Sequence, residues 1–104
     1  NSTNLFFVRK KQVLTSTGEF CLNGITRSKA LLLCKKNRIP FNETNFTFED
    51  IKECEEAFVT GTFAGIIPVS KIENRKLKST NSDSLVSKIR LLYNNHIQEN
   101  ITSI

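Results

Sequence analysis

Two short segments pair glycine with threonine in a way suited to holding an anion. Leu22-Asn23-Gly24-Ile25-Thr26-Arg27 stands at the start of an expected helix, and Phe58-Val59-Thr60-Gly61-Thr62-Phe63-Ala64-Gly65-Ile66-Ile67-Pro68-Val69 at the end of an expected strand. The first N–H groups of a helix have no acceptor within it, and the helix dipole adds partial positive charge, so a phosphate suits that end. Gly24 opens the backbone to close approach, and the Thr26 hydroxyl adds a donor. A strand that ends in Gly61-Thr62 exposes N–H groups in a backbone concavity of the kind that holds anions. The hydroxyls of Thr60 and Thr62 lie beside it. Taken singly, the first segment is also an ordinary loop-to-helix transition and the second an ordinary turn.

Other chemistry is less well supported. The three cysteines, Cys21, Cys34 and Cys54, form no C-x-x-C and the chain has a single His. An odd count excludes a closed disulfide framework, and a zinc site lacks ligands. Reduced thiols in a cytoplasmic protein are the expectation. His96 reads as structural or surface, and Cys21, close to the first glycine segment, as an inert thiol. The acidic pairs Glu49-Asp50 and Glu55-Glu56 read as a helix start and a solvent-exposed pair.

The net charge of +5 invites a nucleic-acid reading, but Lys and Arg come in ones, twos and a single three, Arg9-Lys10-Lys11, and the aromatics are eight Phe and one Tyr. A basic run with stacking aromatics is absent, so no nucleic-acid partner is expected. No apolar stretch reaches membrane-spanning length. Asn1–Val8 runs straight into strand-like sequence, without a signal-peptide pattern. The four N-x-S/T sites are ascribed to the abundance of Asn, 11 residues in all, and the lack of any Met is a hint of sequence removed upstream.

The elements that must carry the two segments follow from pattern. Leu5–Val8 and Gln12–Thr15 read as a hairpin around Arg9-Lys10-Lys11. A helix is expected over about Thr26–Asn37, with Thr26 as N-cap, Ala30 to Cys34 supplying an apolar face, and Pro40 stopping it. Phe41–Phe46 reads as extended. Thr47 and Asp50 approximate a capping box for a short helix ending near Cys54. Ala57–Thr60 is a buried-type strand. Ile66–Val69 with Lys71-Ile72 is the next, placed at an edge or irregular start by Pro68. Ser79–Asp83 reads as the most flexible stretch. A last helix runs over about Ser84–Gln98, with Leu85, Ile89, Leu92 and His96 near one face. At 104 residues the chain is one domain at most, a mixed α/β (α+β) fold of short strands alternating with three helices.

The order of these segments resembles one family. S-x-N-Φ-F, a hairpin, G-I-T-R opening a helix, an F-T-F-E-D helix start and E-E-A-F-V-T-G-T-x-x-x-I-x-P-V succeed one another over about Ser2–Leu77. The same succession runs through the larger domain of the class IV, pyridoxal-phosphate-dependent aminotransferases, which include branched-chain and D-amino acid aminotransferases. The resemblance implies that residues 1–104 form a single partial domain, the C-terminal part of that larger domain, in a homodimeric enzyme. It implies that pyridoxal 5'-phosphate is the cofactor, its phosphate held by Gly24, Ile25, Thr26, Gly61 and Thr62. Ser2, Thr3 and Asn4 match a segment that supports the pyridine ring. Backbone groups of Thr62 and Phe63 face the substrate carboxylate, and Arg27 forms an ion pair near the helix start.

The resemblance also implies that the Schiff-base lysine and the glutamate at the pyridine nitrogen lie upstream. None of the ten lysines here stands in a matching context, so no catalytic residue is assigned and the chain is expected not to transaminate alone. Phe63 and Gly65 depart from common family residues, and no G-x-G-like ending follows Leu77, leaving that edge of the active site undefined. A branched-chain amino acid and a 2-oxo acid are the favoured substrates. The alternatives are an aminodeoxychorismate lyase-like or D-amino acid aminotransferase-like protein, and a non-catalytic, self-associating module.

Overall fold

A computed structural model describes residues 4–17, 24–61 and 64–102. Five strands form one sheet in the order β3-β2-β1-β4-β5, in which only the β2–β3 pair is parallel. The strands are β1 (Asn4–Arg9), β2 (Gln12–Thr15), β3 (Phe41–Glu43), β4 (Glu56–Gly61) and β5 (Gly65–Val69). Helix α1 (Ile25–Lys36) links β2 to β3, α2 (Phe48–Lys52) precedes β4, and α3 (Leu85–Thr102) closes the chain. A small ribbon of β6 (Lys71–Ile72) and β7 (Arg75–Lys76) follows β5. The mixed α/β class with three helices is therefore as expected. No helix among the described residues is long and apolar enough to cross a membrane.

The hairpin is where the sequence put it. Arg9 pairs with Gln12, so Lys10 and Lys11 are the two loop residues, at φ 52° and 63°. Two positive φ values give the loop the twist that suits a tight antiparallel turn. β1 is central, and Phe6, Phe7 and Val8 are all buried. On one face Phe6 and Phe58 stack at 4.6 Å between ring centroids. Ala30, Leu33 and Cys34 of α1 and Val86, Ile89 and Tyr93 of α3 complete that core. The opposite face carries Phe7, Cys54, Ala57 and Leu77, with Phe46 edge-on to Phe7. Pro68 sits on β5, the edge strand, where its missing N–H costs no ladder bond. Thr47 and Asp50 form the full reciprocal capping box of α2.

Four expectations need correction. Thr26 is not the N-cap of α1: extended Gly24 (φ −75°, ψ 146°) is, and Thr26 lies inside the first turn. The apolar face of α1 is narrower than its leucine run, since consecutive residues point about 100° apart, and Leu32 remains exposed. On α3 the buried stripe is Val86, Ile89 and Tyr93, while Leu85 and Leu92 only flank it. Ser79–Asp83 is tied down. Ser79 is fully buried, its Oγ accepts from Ala57 N at 2.8 Å, and its carbonyl accepts from Ser84 Oγ at 2.9 Å.

Candidate functional site

The two glycine–threonine segments meet at one end of the sheet. Asn4 pairs with Thr60 across β1 and β4, and Gly61 pairs with Gly65 across β4 and β5. This end faces the start of α1. The Thr26 hydroxyl donates to the Gly61 carbonyl at 3.1 Å, joining the first turn of the helix to the end of the strand. Gly24 lies against Asn4: a Cβ built on it would stand 3.5 Å from Asn Nδ2. Asn4, Gly24, Thr26 and Gly61 are thus brought together. Ile25, at the first helical position, is 72% exposed. Thr3, Thr62 and Phe63 lie outside the described residues, as do Ser2 and Cys21.

Three features of this end suit an anion. First, the N-cap of α1 is a glycine, which offers no side-chain acceptor, and its first turn has no acidic residue, so no capping side chain of the helix itself competes for its leading N–H groups. Second, buried side-chain polar atoms without a partner among the described residues are two, Thr60 Oγ1 and Arg27 Nε, and both belong to the joined segments. A buried hydroxyl costs free energy unless something bonds it. Third, Arg27, only 4% exposed, lies in the first turn of α1 with its guanidinium Nε–H still unused among the described residues. It forms the expected ion pair, to Glu43 at 2.7 Å, and also donates to the Ser16 carbonyl at 2.7 Å.

Sequence reasoning missed Tyr93. Its hydroxyl lies 3.4 Å from Thr26 Oγ1, and its ring closes the site from α3. Gly65 makes room for it: with φ at +72°, a Cβ there would come within 2.9 Å of Tyr93 Cε2. The only signals were the single Tyr of the chain and its spacing of four residues from Ile89. Sequence reasoning also missed Glu56, read as solvent-exposed. Its carboxylate accepts from Leu85 N at 3.2 Å and Val86 N at 2.8 Å, anchoring the N-terminus of α3. The Leu77–Ser84 stretch, left undefined as an active-site edge, runs at the other end of the sheet, where Lys78 N bonds the Glu55 carbonyl.

The remaining candidates are structural. Burial pushes the Cys34 thiol up to about 11. Burial also raises Cys54, partly offset by Arg75, whose guanidinium reaches its Sγ at 3.9 Å. Both are therefore neutral thiols at ordinary pH, poor nucleophiles and poor ligands. His96 lies half-buried on α3, and no group of three metal-ligating side chains exists among the described residues.

Comparison with known proteins gives a consistent result. The amino-transferase class IV family profile matches residues 1–72. A branched-chain-amino-acid aminotransferase-like protein of Arabidopsis thaliana is 36% identical over 75 residues, 72% of this chain and 13% of its own. A D-alanine aminotransferase of Bacillus licheniformis is 30% identical over 97 residues, 92% of this chain and 34% of its own. A crystal structure of a Brucella abortus aminotransferase bound to its cofactor PLP superposes with a TM-score of 0.85 at 30% identity, over 93% of this chain and 34% of its own. The chain thus spans about a third or less of the length of each of these relatives.

Proposed function

From a chain that belongs to the amino-transferase class IV family, we propose a wall of an active site that holds the phosphate of pyridoxal 5'-phosphate. The observation that carries this reading is the bond between Thr26 and the Gly61 carbonyl. It sets a helix start without a side-chain cap against the end of β4, where the Thr60 hydroxyl is buried and has no partner among the described residues. The donor set fits a phosphate. The backbone N–H groups of Ile25 and Thr26 would bind its oxygens, aided by the α1 dipole. Thr62, following Gly61, would add its hydroxyl and N–H, and Gly24 and Gly61 keep the approach clear of side chains.

Thr26 acts differently from a simple phosphate donor. Its hydroxyl proton is committed to the Gly61 carbonyl, so its side chain splices helix to strand and its backbone serves the anion. Asn4 and Thr3 support the ring side, and the backbone of Thr62 and Phe63 orients a substrate carboxylate. When bound, the cofactor supplies an electron sink for the amino acid's α-carbon.

The residues that hold the aldehyde and protonate the ring belong, by the family resemblance, to sequence upstream of these residues. We therefore read residues 1–104 as part of a larger catalytic domain, inactive as this chain alone. The complete enzyme would move an amino group between a branched-chain amino acid and a 2-oxo acid, as a cytoplasmic homodimer. The Arabidopsis relative's name supports that substrate class. The Bacillus relative, which covers more of this chain, supports a second reading, D-alanine.

A thermal-shift titration tests the phosphate site. Pyridoxamine phosphate should raise the melting temperature saturably and pyridoxamine should not. A ligand at about 100 times its Kd stabilises by roughly 2.7 kcal/mol, several degrees for a domain this small. Equal shifts with both compounds, or none with either, would refute a phosphate-holding wall.

A further inference from the structure

A cavity of about 650 Å3 opens at the end of the sheet remote from the phosphate wall. The register places it: Val8, which lines it, pairs with Glu56, whereas Asn4 pairs with Thr60. Four cationic side chains line it, Lys11, Arg38, Lys78 and Lys88. They come from the hairpin turn, the end of α1, the segment after β7 and the first turns of α3. No ion pair involves any of the four among the described residues.

Three carboxylates share the lining, Glu55, Glu56 and Asp83, yet two of them are already engaged by backbone donors. Glu56 is held by Leu85 N and Val86 N, and Glu55 accepts from Lys10 N at 3.0 Å. Peptide N–H groups thus hold two of the acids in place, no ion pair among the described residues engages the cations, and four cations against three carboxylates leave the lining a net charge of +1. Between them lies apolar surface, chiefly from exposed Pro40 and half-buried Leu85, with core residues Val8 and Ile39 beneath. The size is that of a small-molecule pocket.

We propose that this cavity is a second binding site, for a small organic anion with an apolar body, such as an aryl phosphate or a carboxylate on a hydrocarbon skeleton. The ammonium and guanidinium groups would hold the charged head, and the accessible Pro40 and Leu85 would receive the apolar part. The N–H groups of Leu85 and Val86 are already bonded to Glu56, so recognition falls to side-chain charge and to hydrocarbon contact.

The test is a low-salt titration of the isotope-labelled chain with phenyl phosphate, followed at individual backbone amides. Saturable shifts are expected at Asn37–Ile39 and Lys78–Leu85. In Arg38→Gln/Lys88→Gln the affinity at those amides should fall at least tenfold. Lys11→Gln/Lys78→Gln provides the same check should the first pair fail to fold. Inorganic phosphate should bind there more weakly. The proposal is overturned if those amides do not shift, if shifts are confined to Gly24–Thr26, or if the folded variant binds as tightly as the parent chain. Equal affinity for inorganic phosphate would overturn the apolar requirement.

Discussion

Thr26 shows how one side chain serves two purposes. As a residue type at a helix start it signals a cap, but its hydroxyl instead bonds Gly61 across the site. Thr26→Val should therefore destabilise the fold by about 1–3 kcal/mol, leaving a part-buried carbonyl without its donor, and Thr26→Ser should recover most of that. Urea unfolding of the two variants measures the difference. Gly65 carries a second residue-level prediction. Gly65→Ala adds a left-handed strain and a contact with Tyr93, costing about 1–3 kcal/mol, and Tyr93→Leu in the same chain should return part of the loss.

The buried thiols give a third. Cys34 is held neutral in the fold, at about 11 against 9.0 for a free thiol. The folded chain keeps that proton over a range where the unfolded chain has lost it. Its contribution is complete below pH 9 and lost as pH rises toward 11, by roughly 2–3 kcal/mol. At pH 8, Cys34 and Cys54 should resist iodoacetamide until the chain is unfolded, which peptide mass mapping reads directly.

At the scale of elements, the N-terminus of α3 depends on Glu56. Glu56→Ala removes a charged acceptor from Leu85 N and Val86 N and should cost about 2 kcal/mol, with Glu56→Gln losing less; helix content and urea midpoint report it. The elements were largely legible in the sequence because local patterns and tertiary needs agreed. The Leu5–Val8 hairpin, the Thr47 capping box and the Pro68 edge strand are such cases. Where the two diverged, contacts distant in sequence decided. Glu56 looked solvated because Leu85 lies 29 residues away. Ser79–Asp83 looked loose because its bonds to β4 and α3 leave no mark in composition. Likewise Gly24 and Gly61 were legible as glycine–threonine turns, but Tyr93 was not, since nothing local ties an α3 residue to a β4 end.

For the molecule as a whole, the sheet separates two chemistries. One end joins the starts of β1, β5 and α1 to the end of β4, where Thr60 Oγ1 and Arg27 Nε have no partner among the described residues. The other gathers four cations, in no ion pair among the described residues, with three carboxylates around apolar surface. The central claim concerns the first end: that the Gly24–Thr26 turn and Gly61 hold a phosphate. Its most direct measurement is an amide-resolved titration with pyridoxamine phosphate, which forms no Schiff base with surface lysines, against pyridoxamine as control. The account predicts saturable shifts at Ile25, Thr26 and Gly61 with the phosphate compound alone, strongest at Ile25 and Thr26. Shifts of those amides with both compounds, or a phosphate-dependent response that leaves them unmoved, would contradict it.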